Sequence, residues 1–126
     1  MTTSEIGRLG ENAAVKALKK EKYKIIDQNV HFSHNEIDII AKNKKYLVFV
    51  EVKTRSCDEN MQFNFGSPAS AVDLHKQKRT IAAAREFIKH KKFLKLQPRF
   101  DVIEVFLSKE TQKPIHINHI ENAFGA

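Results

Sequence analysis

Two acids and a lysine interrupt apolar segments that otherwise have the composition of β-strands. Asp38 lies in the segment EIDIIA, and Glu51 and Lys53 lie in the segment LVFVEVK, which follows a short basic turn. Side chains alternate between the faces of a strand, and opposed residues of an antiparallel pair point the same way. The three side chains can therefore share one face of a β-hairpin, where they would form a local patch of two carboxylates and one ammonium group.

The length of the turn sets the predicted register of this hairpin. A two-residue turn, Asn-Lys, pairs Ile40 with Leu47 and leaves Asp38 diagonal to Glu51. Glu36 and Ile40 share the face of Asp38 if the alternation is regular. Glu36 therefore adds a third carboxylate near the patch.

Carboxylates this close raise one another's pKa values and oppose folding unless a cation lies between them. Two converging acids suit Mg²⁺, a hard cation that takes carboxylate oxygens and keeps several waters. Such an ion lowers the pKa of a bound water, and Lys53 can hold that water or stabilise negative charge on a phosphate. This chemistry is typical of phosphodiester hydrolysis. The structural alternative is a solvated sheet face on which Lys53 simply pairs with Glu51.

The segments around the hairpin predict an α/β fold built on a mixed sheet. A strand, a long helix and another strand follow one another, and this crossover is long enough for a parallel pair, whereas the earlier strands have short connections typical of antiparallel neighbours. The segment 57–69 reads as a long loop, and the tail PIHINHIENAF adds a short strand. The predicted helices cover residues 3–21 and 71–91, and the predicted strands cover residues 23–30, 46–54 and 99–107 besides the first hairpin strand.

The second predicted helix is amphipathic and basic. The segment SAVD, with Ser70 as the cap, has the form of a capping box. Gln77 is the only polar member of the stripe expected to face the sheet, and a buried amide needs partners, which an acidic hydrated site would supply. A helix end that turns Gln77 to solvent is the alternative. The stripe consists of Leu74, Gln77, Ile81, Ala84 and Ile88. Basic residues around it suit contact with phosphates, or form an ordinary solvated face: Lys76, Lys78, Arg79, Arg85, Lys89, Lys91 and Lys92.

Composition restricts the class of protein. The 126 residues fit one domain, residues 1–126, and the net charge of +7 favours a polyanionic partner such as nucleic acid, although charge also serves solubility alone. The single cysteine, Cys57, excludes an internal disulfide. Because no segment resembles a signal peptide or a membrane span, we expect a cytoplasmic protein without a membrane partner. The six histidines lack zinc-type spacing, and we expect them to be ordinary surface or core residues.

Two motifs carry a resemblance to known proteins. EID followed by VFVEVKTRS resembles the signature of PD-(D/E)XK nucleases, with Asp38 as the first acid and Glu51-Val52-Lys53 as the second half. The chain resembles more closely the YraN-like family of small bacterial proteins. The matching segments follow in order and cover nearly the whole chain: GRLGENAAVKAL, EIDIIA, LVFVEVKTRS, FGSPASAVD with KQKR, RFDVIEV and HIENAF.

This resemblance implies a restriction-endonuclease-like core, a mixed β-sheet flanked by helices in the order αβββαβ. It implies that Asp38 and Glu51 bind Mg²⁺ or Mn²⁺, that Glu11 of the first helix joins them, and that the Val52 carbonyl is a further ligand. Lys53 would act on the attacking water or on the phosphate. The residues expected to support the site are Glu36 and Gln77, and those expected to contact nucleic acid are Arg55, Lys76, Lys78 and Arg79.

The predicted function is that of a metal-dependent endonuclease that acts on DNA, with a preference for branched or otherwise structured DNA rather than for a sequence. One alternative is a catalytically silent nucleic-acid-binding module on the same fold. A module that only binds DNA, however, would gain little from retaining acids that repel the DNA. A second alternative is a subunit that binds an acidic protein through the basic helix. The sequence leaves open whether the chain is active, whether it acts on DNA or RNA, and whether it forms a homodimer.

Overall fold

Two helices cover opposite faces of a five-stranded sheet in the computed structural model, which describes residues 2–32, 35–59, 72–91 and 95–125. The strands lie in chain order across the sheet; β3 and β4 run parallel, and the other neighbours are antiparallel. This arrangement is the predicted αβββαβ core of a restriction-endonuclease-like fold, with one further strand at the edge. The elements are α1 (Thr3–Lys20), β1 (Lys24–Phe32), β2 (Asn35–Lys42), β3 (Tyr46–Cys57), α2 (Leu74–Lys91), β4 (Gln97–Ser108) and β5 (Pro114–Phe124).

The alternation of side chains along β3 divides the core into two halves. Val48 and Val50 pack under α1, whereas Leu47 and Phe49 pack under α2. Phe49 meets Phe87 of α2 edge to face, with ring centroids 6.1 Å apart. Burying each of these side chains contributes about 1.5–3 kcal/mol, so the two apolar faces fix the orientation of every residue along β3. Glu51 and Lys53 are the next residues on the face of β3 that carries Leu47 and Phe49.

The predicted pairing of β2 with β3 is wrong by two residues. Ile40 pairs with Phe49, not with Leu47, because the turn lies one residue later than predicted: the Asn43 amide donates to the Tyr46 carbonyl at 3.1 Å, which leaves Lys44 and Lys45 between them. The side-chain oxygen of Asn43 accepts hydrogen bonds from the two backbone amides of Lys45 and Tyr46, at 2.9 and 2.7 Å, and so forms the turn itself. A shift of two residues does not by itself change the face on which a side chain lies.

Helix α2 begins later than predicted. Its first residue is Leu74, and Asp73 caps it by accepting a hydrogen bond from the Lys76 amide at 2.8 Å. The predicted cap, Ser70, and most of the predicted loop 57–69 lie outside the described residues. The predicted apolar stripe of α2 is wrong at its start, because Leu74 is 62% exposed. The side of the helix that faces the sheet is instead the one that buries the large ring of Phe87. The buried residues of α2 are Thr80, Ala83, Ala84 and Phe87.

Strands β3 and β5 are longer than predicted. Strand β3 continues to Cys57, and the tail forms a strand of 11 residues rather than a short one. Strand β5 pairs along β4 from Pro114 to Phe124, so it covers that edge of the parallel pair. No helix among the described residues is both long enough and apolar enough to span a membrane.

Candidate active site

Asp38 and Glu51 come together where β2 separates from β3. The last regular pair of this ladder is Ile39 with Val50, and beyond it the Val52 amide donates to Oδ2 of Asp38 at 2.8 Å. The Asp38 and Glu51 carboxyl groups are close enough that the charge of Asp38 raises the pKa of Glu51. The Asp38 side chain thus takes the place of a backbone acceptor for the Val52 amide of β3. Asp38 and Glu51 are therefore direct neighbours.

A break in the alternation of β2 turns Asp38 toward α1. Ile37 and Ile40 both pack in the α2 half of the core, so the residues between them cannot alternate regularly, and the predicted common face of Glu36, Asp38 and Ile40 is wrong. Glu36 and Asp38 instead line a groove beneath α1. Asn29 of β1, which faces this break, has a φ of 51°. Asparagine tolerates this left-handed backbone better than most residues do, so Asn29 accommodates the irregularity.

Burial and ion pairing define the state of Glu51. The residue is only 7% exposed, and its two carboxylate oxygens lie 3.7 Å from Lys53 Nζ and 3.6 Å from Lys76 Nζ. Burial, followed by the charge of Asp38, raises the pKa of Glu51 to about 7, although both lysines lower it. Burial likewise raises the pKa of Asp38. The ion pair of Glu51 with Lys53 agrees with the alternative in which these residues only pair with each other on the sheet. The low exposure of Glu51, however, excludes a solvated sheet face at this residue.

Helix α1 carries Glu11 to the same groove. A side chain at Gly10 would lie 1.8 Å from Oγ1 of Thr54, so glycine is what allows the helix to approach β3 this closely. Oε1 of Glu11 accepts a hydrogen bond from Nδ2 of Asn29 at 3.0 Å. Partial burial and then the charge of Asp38 raise the pKa of Glu11. The donor atoms of Glu11 do not lie within 4.8 Å of both other acids, so Glu11 stands at the rim of the site.

The groove between α1 and the sheet has a volume of about 660 Å³. Its lining is mainly polar and includes Arg8, Glu11, Glu36 and Asp38. Pockets for small apolar ligands have predominantly hydrophobic walls. The composition of this groove instead suits a charged or strongly hydrated ligand.

The four basic residues predicted to contact nucleic acid divide into two kinds. Lys76 pairs with Glu51, and Arg55 pairs with Glu104 through Nε at 3.3 Å. Lys78 and Arg79 are exposed on the first turns of α2. The first two therefore organise carboxylates, and the last two present positive charge to solvent.

Gln77 does not reach the acids. Its amide nitrogen donates to the Val72 carbonyl at 3.1 Å, so it holds the start of α2 rather than the predicted site. Two contributions were missed at the sequence level: the link from Asn29 to Glu11, and the bridge from Lys76 to Glu51. An asparagine inside a strand-like segment is a weak signal for irregular backbone, and it could have pointed to Asn29.

The strand order and the placement of the acids at the strand separation define a protein with a restriction-endonuclease-like fold. The chain belongs to the uncharacterised protein family UPF0102, whose model matches residues 10–105. A UPF0102 protein of Caldanaerobacter subterraneus subsp. tengcongensis is 44% identical over 119 residues, which cover 94% of this chain and 93% of the relative. A UPF0102 protein of Caldicellulosiruptor saccharolyticus is 39% identical over 124 residues, which cover 98% and 100%.

Replacing Glu51 with glutamine should stabilise the metal-free protein at high pH. The unfolded carboxyl releases its proton near 4.5 and the folded one near its pKa of about 7. Stability should therefore fall as the pH rises through this interval. In EDTA we expect Glu51→Gln to raise the free energy of unfolding by roughly 1–3 kcal/mol at pH 8 and by little at pH 5.

Urea denaturation at the two pH values measures this difference. Glu110→Gln, an exposed change in the turn between β4 and β5, is the matched control and should leave the pH profile of the wild type unchanged. Parallel profiles for wild type and Glu51→Gln would show that Glu51 ionises normally.

Proposed function

We propose that this protein is a metal-dependent endonuclease that hydrolyses phosphodiester bonds in DNA. The observation that carries the proposal is the pair of neighbouring acids Asp38 and Glu51: Glu51 is buried between Lys53 and Lys76, and Asp38 beside it accepts a hydrogen bond from the Val52 amide. Neighbouring acids oppose folding when both are charged and shielded from water, and such arrangements cluster at functional sites. A bound cation would remove this cost.

The donor atoms around the pair fit Mg²⁺ or Mn²⁺. They are all oxygens: Asp38, Glu11 and Val52, whose carbonyl is a further candidate, line the groove, and Glu51 neighbours Asp38 outside that lining. Among the described residues that line the groove, none is a histidine or cysteine, the side chains that favour zinc. Such an ion, when bound, supplies positive charge for a phosphate and lowers the pKa of a bound water.

The two lysines have different positions and hence different proposed roles. The side chain of Lys53 is 37% exposed, so its ammonium group can contact both Glu51 and a ligand in the open site. It would orient the attacking water or stabilise charge that develops on the phosphate. Lys76 is more buried and lies beside the other oxygen of Glu51. It would hold that carboxylate in one orientation.

DNA is the proposed substrate because positive charge continues outward from the site. Lys78 and Arg79 follow Lys76 along α2, and the chain has a net charge of +7. Phosphate contacts hold a nucleic acid in place but carry no sequence information. A preference for branched or irregular DNA over a particular sequence is therefore the form of specificity we propose.

A catalytically silent DNA-binding module is the second candidate, and one observation favours it. Lys53 and Lys76 already lie within ion-pair distance of Glu51, so the acid can be neutralised without a metal. A silent module would bind DNA equally well in EDTA and in Mg²⁺. It would cleave no substrate.

Cleavage of defined DNA substrates tests the proposal. We expect cuts in at least one of a panel of junctions, flaps and single strands with Mg²⁺ or Mn²⁺, and none in EDTA. Lys53→Ala and Asp38→Asn should each lower the rate at least about 100-fold while DNA binding persists. Lys113→Ala, an exposed lysine of the turn before β5, is the matched control and should retain the wild-type rate.

The outcomes of the cleavage assay separate the two candidates. Binding without cleavage on every substrate would support the silent module. Equal cleavage rates for wild type and Lys53→Ala would remove Lys53 from the reaction.

Loss of the exposed charges on α2 should weaken DNA binding in a salt-dependent way. For Lys78→Ala/Arg79→Ala we expect lower affinity for all sequences alike, and a slope of log K against log salt that is shallower by about one to two. Lys20→Ala/Lys44→Ala removes the same charge from exposed residues at the opposite end of β3. Equal slopes for both double variants would place the DNA on another surface.

A further inference from the structure

A second cluster of potential ligands lies at the far end of α1 from the acid pair. Glu21 follows the last residue of α1, and His119 and Glu121 lie on β5. One donor atom from each lies within 4.8 Å of the others, and no other three acids, histidines or cysteines in the described part of the chain meet this condition. Ten residues separate Glu11 from Glu21, which is about 15 Å of helix, so this cluster is distinct from the first site.

Asp101 fixes the ring of His119. Nε2 of His119 lies 2.7 Å from Oδ2 of Asp101, which is fully buried on β4. The same carboxylate accepts hydrogen bonds from the guanidinium of Arg99 at 2.8 and 2.7 Å and from the Asn122 amide at 3.0 Å. A buried carboxylate held in this way selects one tautomer of the imidazole and orients the ring. Metal-binding histidines are oriented by the same kind of contact.

The other ring nitrogen lies near Glu21. Nδ1 of His119 lies 3.7 Å from Oε2 of Glu21. When Nε2 donates its hydrogen to Asp101, Nδ1 carries a lone pair close to the Glu21 carboxylate, and electron-rich atoms this close repel unless a cation lies between them. In a tetrahedral zinc site the donor atoms lie about 3.3 Å apart. Small rotations of the exposed glutamate side chains would reach this spacing.

The charges around the cluster suit a dication. Arg99 lies 3.9 Å from Oε1 of Glu121, but its guanidinium is already bonded to Asp101 and to the Tyr23 hydroxyl, the latter at 2.6 Å. Its positive charge therefore balances Asp101. A metal-binding histidine coordinates as neutral imidazole, so the three ligands together would carry a net charge of −2, which a divalent ion neutralises.

We propose that Glu21, His119 and Glu121 bind one Zn²⁺ or a similar first-row dication and so tie the end of α1 to the edge strand β5. Imidazole together with carboxylates suits such ions, whereas the oxygens around Asp38 and Glu51 suit Mg²⁺. For His119 this proposal departs from the expectation that all histidines are ordinary surface or core residues. Its ligand partners are distant in sequence, so residue spacing could not show the site.

Calorimetric titration with ZnCl₂ at pH 7.5 tests this site, in an Asp38→Asn/Glu51→Gln background that removes the first pair of acids. We expect one bound ion with a dissociation constant below about 10 μM, and a rise in Tm of about 5 °C or more at saturation. Glu21→Gln/Glu121→Gln changes only exposed side chains and should weaken binding at least about tenfold. His119→Gln should do the same, since glutamine can still donate to Asp101.

Controls distinguish the site from adventitious binding. His116→Gln, on the same strand, should bind Zn²⁺ as tightly as the background protein does. The variants that lose Zn²⁺ affinity should also lose the visible absorption of bound Co²⁺. Equal Zn²⁺ affinity with and without Glu21 and Glu121, or no binding at pH 7.5 in the background protein, would overturn the proposal.

Discussion

The hydrogen bond that the Val52 amide donates to Asp38 at 2.8 Å is the contact on which the arrangement of the site depends. It lies where the regular ladder between β2 and β3 ends, at Ile39, and opposite Asn29, whose backbone is left-handed. It also places two acids where burial raises their pKa values. Helix α1 approaches through Gly10, and α2 contributes a lysine from the other face, so both layers of the fold meet at this pair.

The rigid core next to the pair explains how the fold tolerates it. Phe49 and Val50, the two residues before Glu51, are buried in opposite halves of the core. Each such side chain contributes about 1.5–3 kcal/mol, which is comparable to the cost of one buried acid with a raised pKa. Strand β3 also pairs with β4 along its whole length. The position of Glu51 is therefore fixed by apolar packing and by the ladder, and its two carboxylate oxygens lie within ion-pair distance of Lys53 and Lys76.

Sequence reasoning predicted the parts of this structure that follow from periodicity. Alternation along β3 predicted that Glu51 and Lys53 share a face, and the two form an ion pair, while the crossover length predicted the parallel pair. Periodicity could not predict the register, because the Asn43 side chain forms the turn. It also could not predict the break at Asp38 or the network of Asp101 with His119, since both depend on contacts between residues distant in sequence.

The most direct test of the central claim is the ionisation of Glu51, followed by the ¹³C chemical shift of its carboxyl group as the pH changes. In EDTA the pKa should be about 7, because burial and Asp38 favour the protonated form. With saturating Mg²⁺ it should fall below about 5, since a bound cation favours the charged form. A pKa near the ordinary 4.5 in EDTA, or one that Mg²⁺ leaves unchanged near 7, would contradict the account of this pair as a metal site.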